Sequence, residues 1–192
     1  KNYLITGDMY IKGQQVKLTQ PKQAINHGLA YVSEDRKGNG LILMQDIKQN
    51  ITVANLKAIS KATVVNKRSE IQIAEKYRES MNIKTPSIEQ KVRNLSGGNQ
   101  QKVALAKWLF VEPNILILDE PTRGIDVGAK YEIYTIMNEL VAQGLSVIMI
   151  SSELPEVLGM SDRIYVMAEG RLTGELDITE ASQEKIMEMA TV

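Results

Sequence analysis

The sequence predicts an α/β protein: a parallel β-sheet covered by helices, with an α-helical subdomain and a small β piece at the N-terminus. Three observations predict it. After Leu95, apolar strand-like runs alternate with helical patterns, the order that gives parallel strands joined by crossover helices. Ile115-Leu116-Ile117-Leu118 and Val147-Ile148-Met149-Ile150 are continuous apolar runs, as expected of central strands buried on both faces. Between Asp46 and Ile83 the apolar period becomes helical, which marks an insertion of a different kind.

In chain order, Tyr3 to Leu18 carries short β-prone runs broken by Gly7 and Gly13, with Met9 and Ile11 alternating around Tyr10, and predicts a hairpin. Gln23 to His27 reads as a short helix before Gly28, and Leu29 to Val32 as a buried strand. That strand feeds the polar loop Ser33 to Gly40. Asp46 with Gln49 resembles a capping box, and Ile47, Ile51, Ala54 and Ala58 share one helical face. A second helix is predicted from Lys67 to Met81, with Ile71, Ala74, Tyr77 and Met81 at helical spacing and a stop at Thr85-Pro86-Ser87. Beyond Leu95 the predicted order is helix Gly97 to Phe110, strand Ile115 to Leu118, helix Val127 to Val141, strand Ser146 to Ile150, short helix Pro155 to Leu158 and strand Arg163 to Met167. A short strand, Arg171 to Leu176, and a last helix, Ser182 to Met189, complete the pattern. Trp108, Leu109 and Phe110 are expected in the core, and Met44, Met81, Met137 and Met149 as packing filler.

Composition limits the function classes. The 192 residues carry 23 Lys+Arg and 23 Asp+Glu, one His and no Cys, and 43% are hydrophobic. A chain of this size buries roughly 70% of its unfolded surface, so it needs no disulfide or structural metal to make a core. Without Cys, thiolate metal sites and thiol catalysis are excluded. Zero net charge argues against a nucleic-acid partner held by a broad basic surface, leaving localised anion sites. The apolar runs fall far short of the ~18 residues of a membrane span, so a soluble, cytosolic chain is expected. Because it begins at Lys1, without Met and within a strand-like pattern, it is expected to be a piece of something longer.

Two constellations carry chemistry. Leu95-Ser96-Gly97-Gly98-Asn99-Gln100-Gln101 lies where a loop becomes a helix. A helix N-terminus presents unpaired N–H groups and partial positive charge, and paired glycines let a phosphate approach the backbone. An N-cap Ser before a Gly-Gly turn would account for Ser96-Gly97-Gly98 alone, but not for Asn99-Gln100-Gln101. The second constellation is a buried strand ending in adjacent carboxylates, Asp119 and Glu120, followed by Pro121-Thr122. At the C-terminal edge of a parallel strand one carboxylate can hold Mg²⁺ while its neighbour polarises water; a simple acidic turn is the other reading.

Together, Leu-Ser-Gly-Gly-Asn-Gln at 95 to 100 and Leu-Asp-Glu-Pro-Thr at 118 to 122 resemble the signature and Walker B motifs of ABC-type ATPases, in that order and spacing. The resemblance implies a partial P-loop NTPase core of the ABC type, with ATP and Mg as cofactors. It implies that Asp119 coordinates Mg²⁺, that Glu120 is the general base and that Asp126 lies in the D-loop; Asp126 is also a good N-cap for a helix starting at Val127. The segments Ser33 to Lys37 with Gly40, Asn94 to Lys102, Thr122 to Lys130 and Ser151 to Leu158 narrow it further. They are similar to the second nucleotide-binding half of tandem bacterial sugar-import ATPases, the group serving ribose, xylose, arabinose and galactose. In that frame residues 1–35 are a β piece and the strand to the Q-loop, 36–110 the helical subdomain with the signature motif, and 111–192 the Walker B, D-loop and switch core.

The resemblance has departures. No Gly is followed by Lys anywhere in the chain, so the Gly-x-x-x-x-Gly-Lys-Ser/Thr phosphate loop is absent from these residues. In the family that loop lies upstream of the segment matching Lys1, and truncation is the simplest explanation. Glu34 stands where the Q-loop Gln is expected, and Ser152 where a switch His would meet the γ-phosphate. The lone His27 is read as a surface or helix-end residue. The resemblance implies that ABC halves meet head to tail, so Ser96, Gly97, Gly98, Asn99 and Gln100 would close over ATP held by a partner half. It also implies transmembrane permease subunits as partners, with Asp35, Arg36 and Lys37 flanking the groove for a coupling helix, although a solvated loop explains those three residues equally. Location would be the cytoplasmic face of the bacterial inner membrane, reached only through the permease. A soluble ABC ATPase of DNA repair or translation and a non-catalytic regulatory half are the alternatives; the first is disfavoured by balanced charge and the lack of a long heptad region.

Overall fold

Three two-residue turns, each with both residues at positive φ, fold the edges of the chain into hairpins. In the computed structural model, which describes residues 6–191, Lys12 and Gly13 join β1 (Met9–Ile11) to β2 (Gln14–Val16) at φ 52° and 75°. This is the twist that favours tight antiparallel pairing. The predicted hairpin is present, while its Tyr3 to Ile5 portion lies outside the described residues. Helix α1 (Pro21–Asn26) follows, with the exposed His27 at its C-cap as expected, and then β3 (Leu29–Val32).

The segment between Asp46 and Ile83 departs from the predicted pair of helices. Helix α2 (Ile47–Thr52) starts at the predicted box, where Asp46 accepts from the Gln49 amide at 2.7 Å. Ile47 and Ile51 are fully buried, each contributing roughly 1.5–3 kcal/mol of apolar burial. The expected face ends there. The chain tightens into a 3₁₀ segment and kinks at Asn55 (φ −138°, ψ 50°), whose side chain donates to the Phe110 carbonyl, and Ala58 is left exposed. An unpredicted hairpin of β4 (Ser60–Lys61) and β5 (Val64–Val65) follows. Its turn residues Ala62 and Thr63 adopt φ 48° and 70°, a conformation their residue types do not advertise. In α3 (Lys67–Ser80), Ala74 is buried and Tyr77 half-buried as predicted, whereas Ile71 faces water and Ile73 packs on the core instead.

Helix α4 (Gly97–Leu109) leads to β6 (Ile115–Asp119), α5 (Val127–Ala142) and β7 (Ser146–Ile150). Strands β3, β6 and β7 form the parallel sheet in that order, in register Tyr31, Ile117, Ile148. Ala30, Val32, Leu116 and Leu118 point to one face and share a core with Val103, Ala106, Ile133 and Met137 of α4 and α5. The opposite face corrects the expectation of strands buried on both sides: Tyr31, Ile148 and Ile150 are 45%, 52% and 47% exposed, because α4 and α5 cover only one face. Met81 and Met137 are core and Leu109 and Phe110 are buried, but Met44 is exposed rather than filler.

After α6 (Leu154–Met160) comes β8 (Arg163–Ala168), which the alternating pattern placed in the parallel series. Instead it pairs antiparallel with β9 (Arg171–Asp177), because Glu169 and Gly170 at φ 46° and 77° turn the chain straight back. Helix α7 (Gln183–Ala190) packs Ile186 into a second, smaller core with Ile164, Val166 and Leu176. No helix of the described residues is long and apolar enough to cross a membrane.

Candidate functional site

The C-terminal ends of β6 and β7 and the N-termini of α4 and α5 position the chemistry. Strand β6 runs apolar until Asp119, where the sheet ends. Asp119 Oδ2 accepts from the Tyr31 hydroxyl at 2.6 Å. This bond, then burial and the carboxylate's charge, hold the Tyr31 phenol above its usual range. Replacing Asp119 with Asn is therefore expected to bring the Tyr31 titration down, followed through its ¹³Cζ shift; an unmoved titration would show that burial alone sets it.

Glu120 turns the chain with φ 47°, a left-handed conformation that costs a non-glycine residue about 1 kcal/mol or more. Its amide donates to Ile150 O at 2.8 Å and its Oε1 accepts from the Ser152 amide at 2.9 Å. The candidate base is thus oriented by the loop after β7, and Ser152 contributes its backbone N–H to this contact. Behind the loop, Glu156 of α6 is 4% exposed and accepts from Ser151 Oγ at 2.5 Å and Thr122 Oγ1 at 3.0 Å. Lys130 of α5 binds Glu153 at 2.5 and 2.6 Å, and that bond raises its pKa.

Ser96 caps α4 as predicted, its Oγ accepting from the Asn99 side chain at 3.0 Å and weakly from the Asn99 amide at 3.5 Å. The residues from Gly97 to Gln100 differ in what their polar groups already hold. The Gln100 amide already donates to Ser96 O, and its buried side chain donates to Val92 O and Leu95 O. Asn99 is likewise engaged: its amide donates to Ser96, and its Oδ1 accepts from the Lys84 amide at 2.8 Å. Gly97 and Gly98 remain the amides with no acceptor among the described residues. Close packing also requires glycine at 98 and leaves little room for a side chain at 97. A Cβ on Gly98 would lie 2.5 Å from Ala129 Cβ on α5, and one on Gly97 would lie 3.3 Å from Gly124 O and 3.2 Å from Ile125 Cγ2. Asp126 caps α5, accepting from the Ala129 amide at 2.9 Å.

Glu34, the residue expected at the Q-loop position, forms an ion pair with Arg123 and so is held by the turn after β6. The loop reading of Asp35, Arg36 and Lys37 is corrected at Arg36. Residues Arg36–Gly40 form a π-helical turn capped by Asp35, and Arg36 is half-buried with its pKa lowered by burial. The structure therefore gathers Asp119, Glu120 and Ser152 with Tyr31, and gathers Ser96 and Gly97 with the 124–126 turn, while the Gln100 side chain turns away. Sequence reasoning missed Tyr31, Glu156 and Lys102. Of these only Lys102 left a signal, a charge embedded among Val103, Ala104 and Leu105.

Among the described residues no three His, Asp or Glu side chains converge as a metal cage. The single carboxylate of Asp119 at the sheet edge, half-buried, still fits Mg²⁺, which is commonly held by one or two carboxylates together with waters and phosphate oxygens.

Parallel strands ending at an acidic pair, with a Ser-capped, glycine-started helix packed on the start of an Asp-capped crossover helix, are the arrangement in which the comparisons with known proteins place an ATP-binding cassette. The family description "ABC transporter" matches residues 2–123, and the chain belongs to that family. It is 59% identical over 187 residues to the L-arabinose transport ATP-binding protein AraG of Geobacillus stearothermophilus, a match covering 97% of this chain and 36% of that protein. It is 57% identical to the xylose import ATP-binding protein XylG of Thermoanaerobacter pseudethanolicus (96% and 37% covered) and 54% identical to the ribose import ATP-binding protein RbsA of Clostridium tetani (96% and 37%). The chain thus spans just over a third of the length of these relatives. Among solved structures, an ATP-binding cassette of an ABC transporter, MJ1267, superposes with a TM-score of 0.77 at 21% identity, covering 94% of this chain and 75% of that one. The cassette MJ0796, in a post-hydrolysis dimer bound to ADP and Pi, superposes with a TM-score of 0.74 at 19% identity, covering 90% and 74%. At these identities the likeness establishes the fold.

Proposed function

We propose that the chain is the second nucleotide-binding half of the ATPase subunit of a bacterial carbohydrate importer, and that its signature helix works in trans on ATP held by a partner half. The observation that carries this is the N-terminus of α4, where the Gly97 and Gly98 amides have no acceptor among the described residues and Ser96 caps the helix beside them. Similarity to arabinose, xylose and ribose import proteins supports the sugar class. The proposed partners are the other ATPase half and a membrane permease, with the subunit at the cytoplasmic face.

In this reading Ser96 Oγ and the Gly97 and Gly98 N–H groups meet the γ-phosphate of the partner's nucleotide and stabilise charge as it develops. Asp126 holds the first turn of α5 beside them through its cap. On this half's own face, Asp119 would hold Mg²⁺, which supplies charge neutralisation when bound. Glu120, oriented by the Ser152 amide, would accept a proton from water. With Ser152 in place of the switch His, that face is proposed to be weak in hydrolysis.

Replacing Ser96 with Arg in the full-length subunit assembled with its permease places a bulky side chain at the entry to α4. Transport and ATP hydrolysis are expected to fall about 100-fold or more, the scale of losing a preorganised charge-stabilising donor. Wild-type activity would overturn the reading. Glu120→Gln should lose less, since it alters the weaker face.

A further inference from the structure

Arg36 lies outside the chemistry assigned above, yet it touches two of the segments that build the site. Its Nη1 donates to Arg123 O at 3.1 Å and reaches Gln101 Oε1 at 3.5 Å, joining the turn after β6 to the first turns of α4. Its Nη2 lies 3.7 Å from where a Cβ of Gly97 would stand and 3.8 Å from that of Gly124, so both glycines leave the gap it fills. The base of the side chain is fixed as well. Asp35 caps the π-helical turn by accepting from the Gly38 amide at 2.9 Å, and Lys107, late in α4, donates to Gly40 O at 2.9 Å. The 36–40 turn is therefore tied to one end of α4 while its guanidinium wedges against the other. The adjacent Glu34–Arg123 pair closes a second link between the same loops, but it is exposed on both sides, and surface pairs of this kind contribute about 0–1 kcal/mol. The guanidinium carries the connection.

We propose that Arg36 is a positioning residue: its planar fork sets the spacing between the N-terminus of α4 and the 123–126 turn, and so places Ser96, Gly97 and Gly98 for the nucleotide they close upon. The inference rests on the trans-acting reading above. Lysine cannot reproduce the arrangement, since a single ammonium lacks the rigid fork that spans Arg123 O, Gln101 and the two glycines.

The test uses the full-length subunit with its permease in proteoliposomes, reading kcat and KM for ATP together with the melting temperature. Arg36→Met is expected to lower kcat about tenfold or more with KM within about twofold, since misplacing a charge-stabilising group by an ångström or less costs turnover rather than ground-state binding. Arg36→Lys should be intermediate, about three- to tenfold down in kcat, with the same unchanged KM. Should Arg36→Met not accumulate as folded protein, Arg36→Lys decides alone. Wild-type kcat in either folded variant, or a rise in KM at constant kcat, would overturn the proposal. Ser96→Arg separates the two ideas: if it abolishes hydrolysis while Arg36→Lys is wild-type, only the positioning role fails, and if Ser96→Arg is itself active, the trans-acting reading fails first.

Discussion

Replacing Glu132 with leucine is expected to destabilise the folded chain by about 3 kcal/mol, measured as a lower urea midpoint at unchanged slope. The reason lies on α4. Lys102 is 1% exposed, and its ammonium has two partners, the Asn82 carbonyl at 2.8 Å and the Glu132 carboxylate of α5. Removing Glu132 leaves a buried cation facing one carbonyl, and breaking such pairs costs about 3–5 kcal/mol. The lower end applies because the Glu132 side chain is still 34% exposed and also meets Lys84 at 3.1 Å. Lys102→Met together with Glu132→Leu removes both charges and should recover most of the loss, a coupling that a simple packing defect would not show.

The same pair predicts an acid limb. The hydrogen bond from Lys102, and then that from Lys84, hold the Glu132 pKa below its ordinary value of 4.5. A carboxylate whose folded pKa is depressed contributes stability that is complete above its unfolded pKa and disappears as pH falls through the folded value. The contribution should thus be intact at neutral pH and fade below the ordinary glutamate range, and Glu132→Leu should flatten that part of the profile.

What the sequence disclosed follows from the range of the forces involved. Local signals were legible: the Asp46 to Gln49 box, the Ser96 and Asp126 caps and the β6 run ending at Asp119 all lie where local reasoning placed them, because each is decided within a few residues. The Ala62-Thr63 turn was not legible, since its positive φ values are imposed by the β4–β5 pairing rather than by residue type. Apolar runs reported strand, but not which face would be covered. Ile148 and Ile150 are as hydrophobic as Leu116 and Leu118, yet only the latter pair meets α4 and α5. The motif residues of the candidate site were visible by type and spacing, whereas their supports act across 65 to 88 residues, as in Arg36 with Gln101 and Tyr31 with Asp119. A charged residue in a polar loop carries no local mark that it will be drawn under a distant turn.

Glu156 is the second side chain whose loss should be large, and it shows how such a distant support differs from a motif residue. It is 4% exposed and holds Ser151 Oγ and Thr122 Oγ1, joining the loop after β7 to the turn after β6. Those are the segments whose neighbours, Ser152 and Glu120, bond each other at 2.9 Å. Glu156→Ala removes the carboxylate, opens a cavity and strands two hydroxyls, and a loss of about 3 kcal/mol is expected from the cavity and the orphaned donors combined. Glu156→Gln is the informative partner. Its amide can accept from one hydroxyl and donate to the other, so the loss should stay within about 1 kcal/mol. Hydrogen exchange at the Ser152 amide separates local from global effects. In Glu156→Ala it should accelerate beyond what the fall in overall stability explains, because the loop that presents this amide to Glu120 has lost its anchor, while in Glu156→Gln it should stay close to wild type. If Ser152 exchange in Glu156→Ala follows global stability alone, Glu156 is a packing residue, and the orientation of Glu120 is set by its own left-handed backbone.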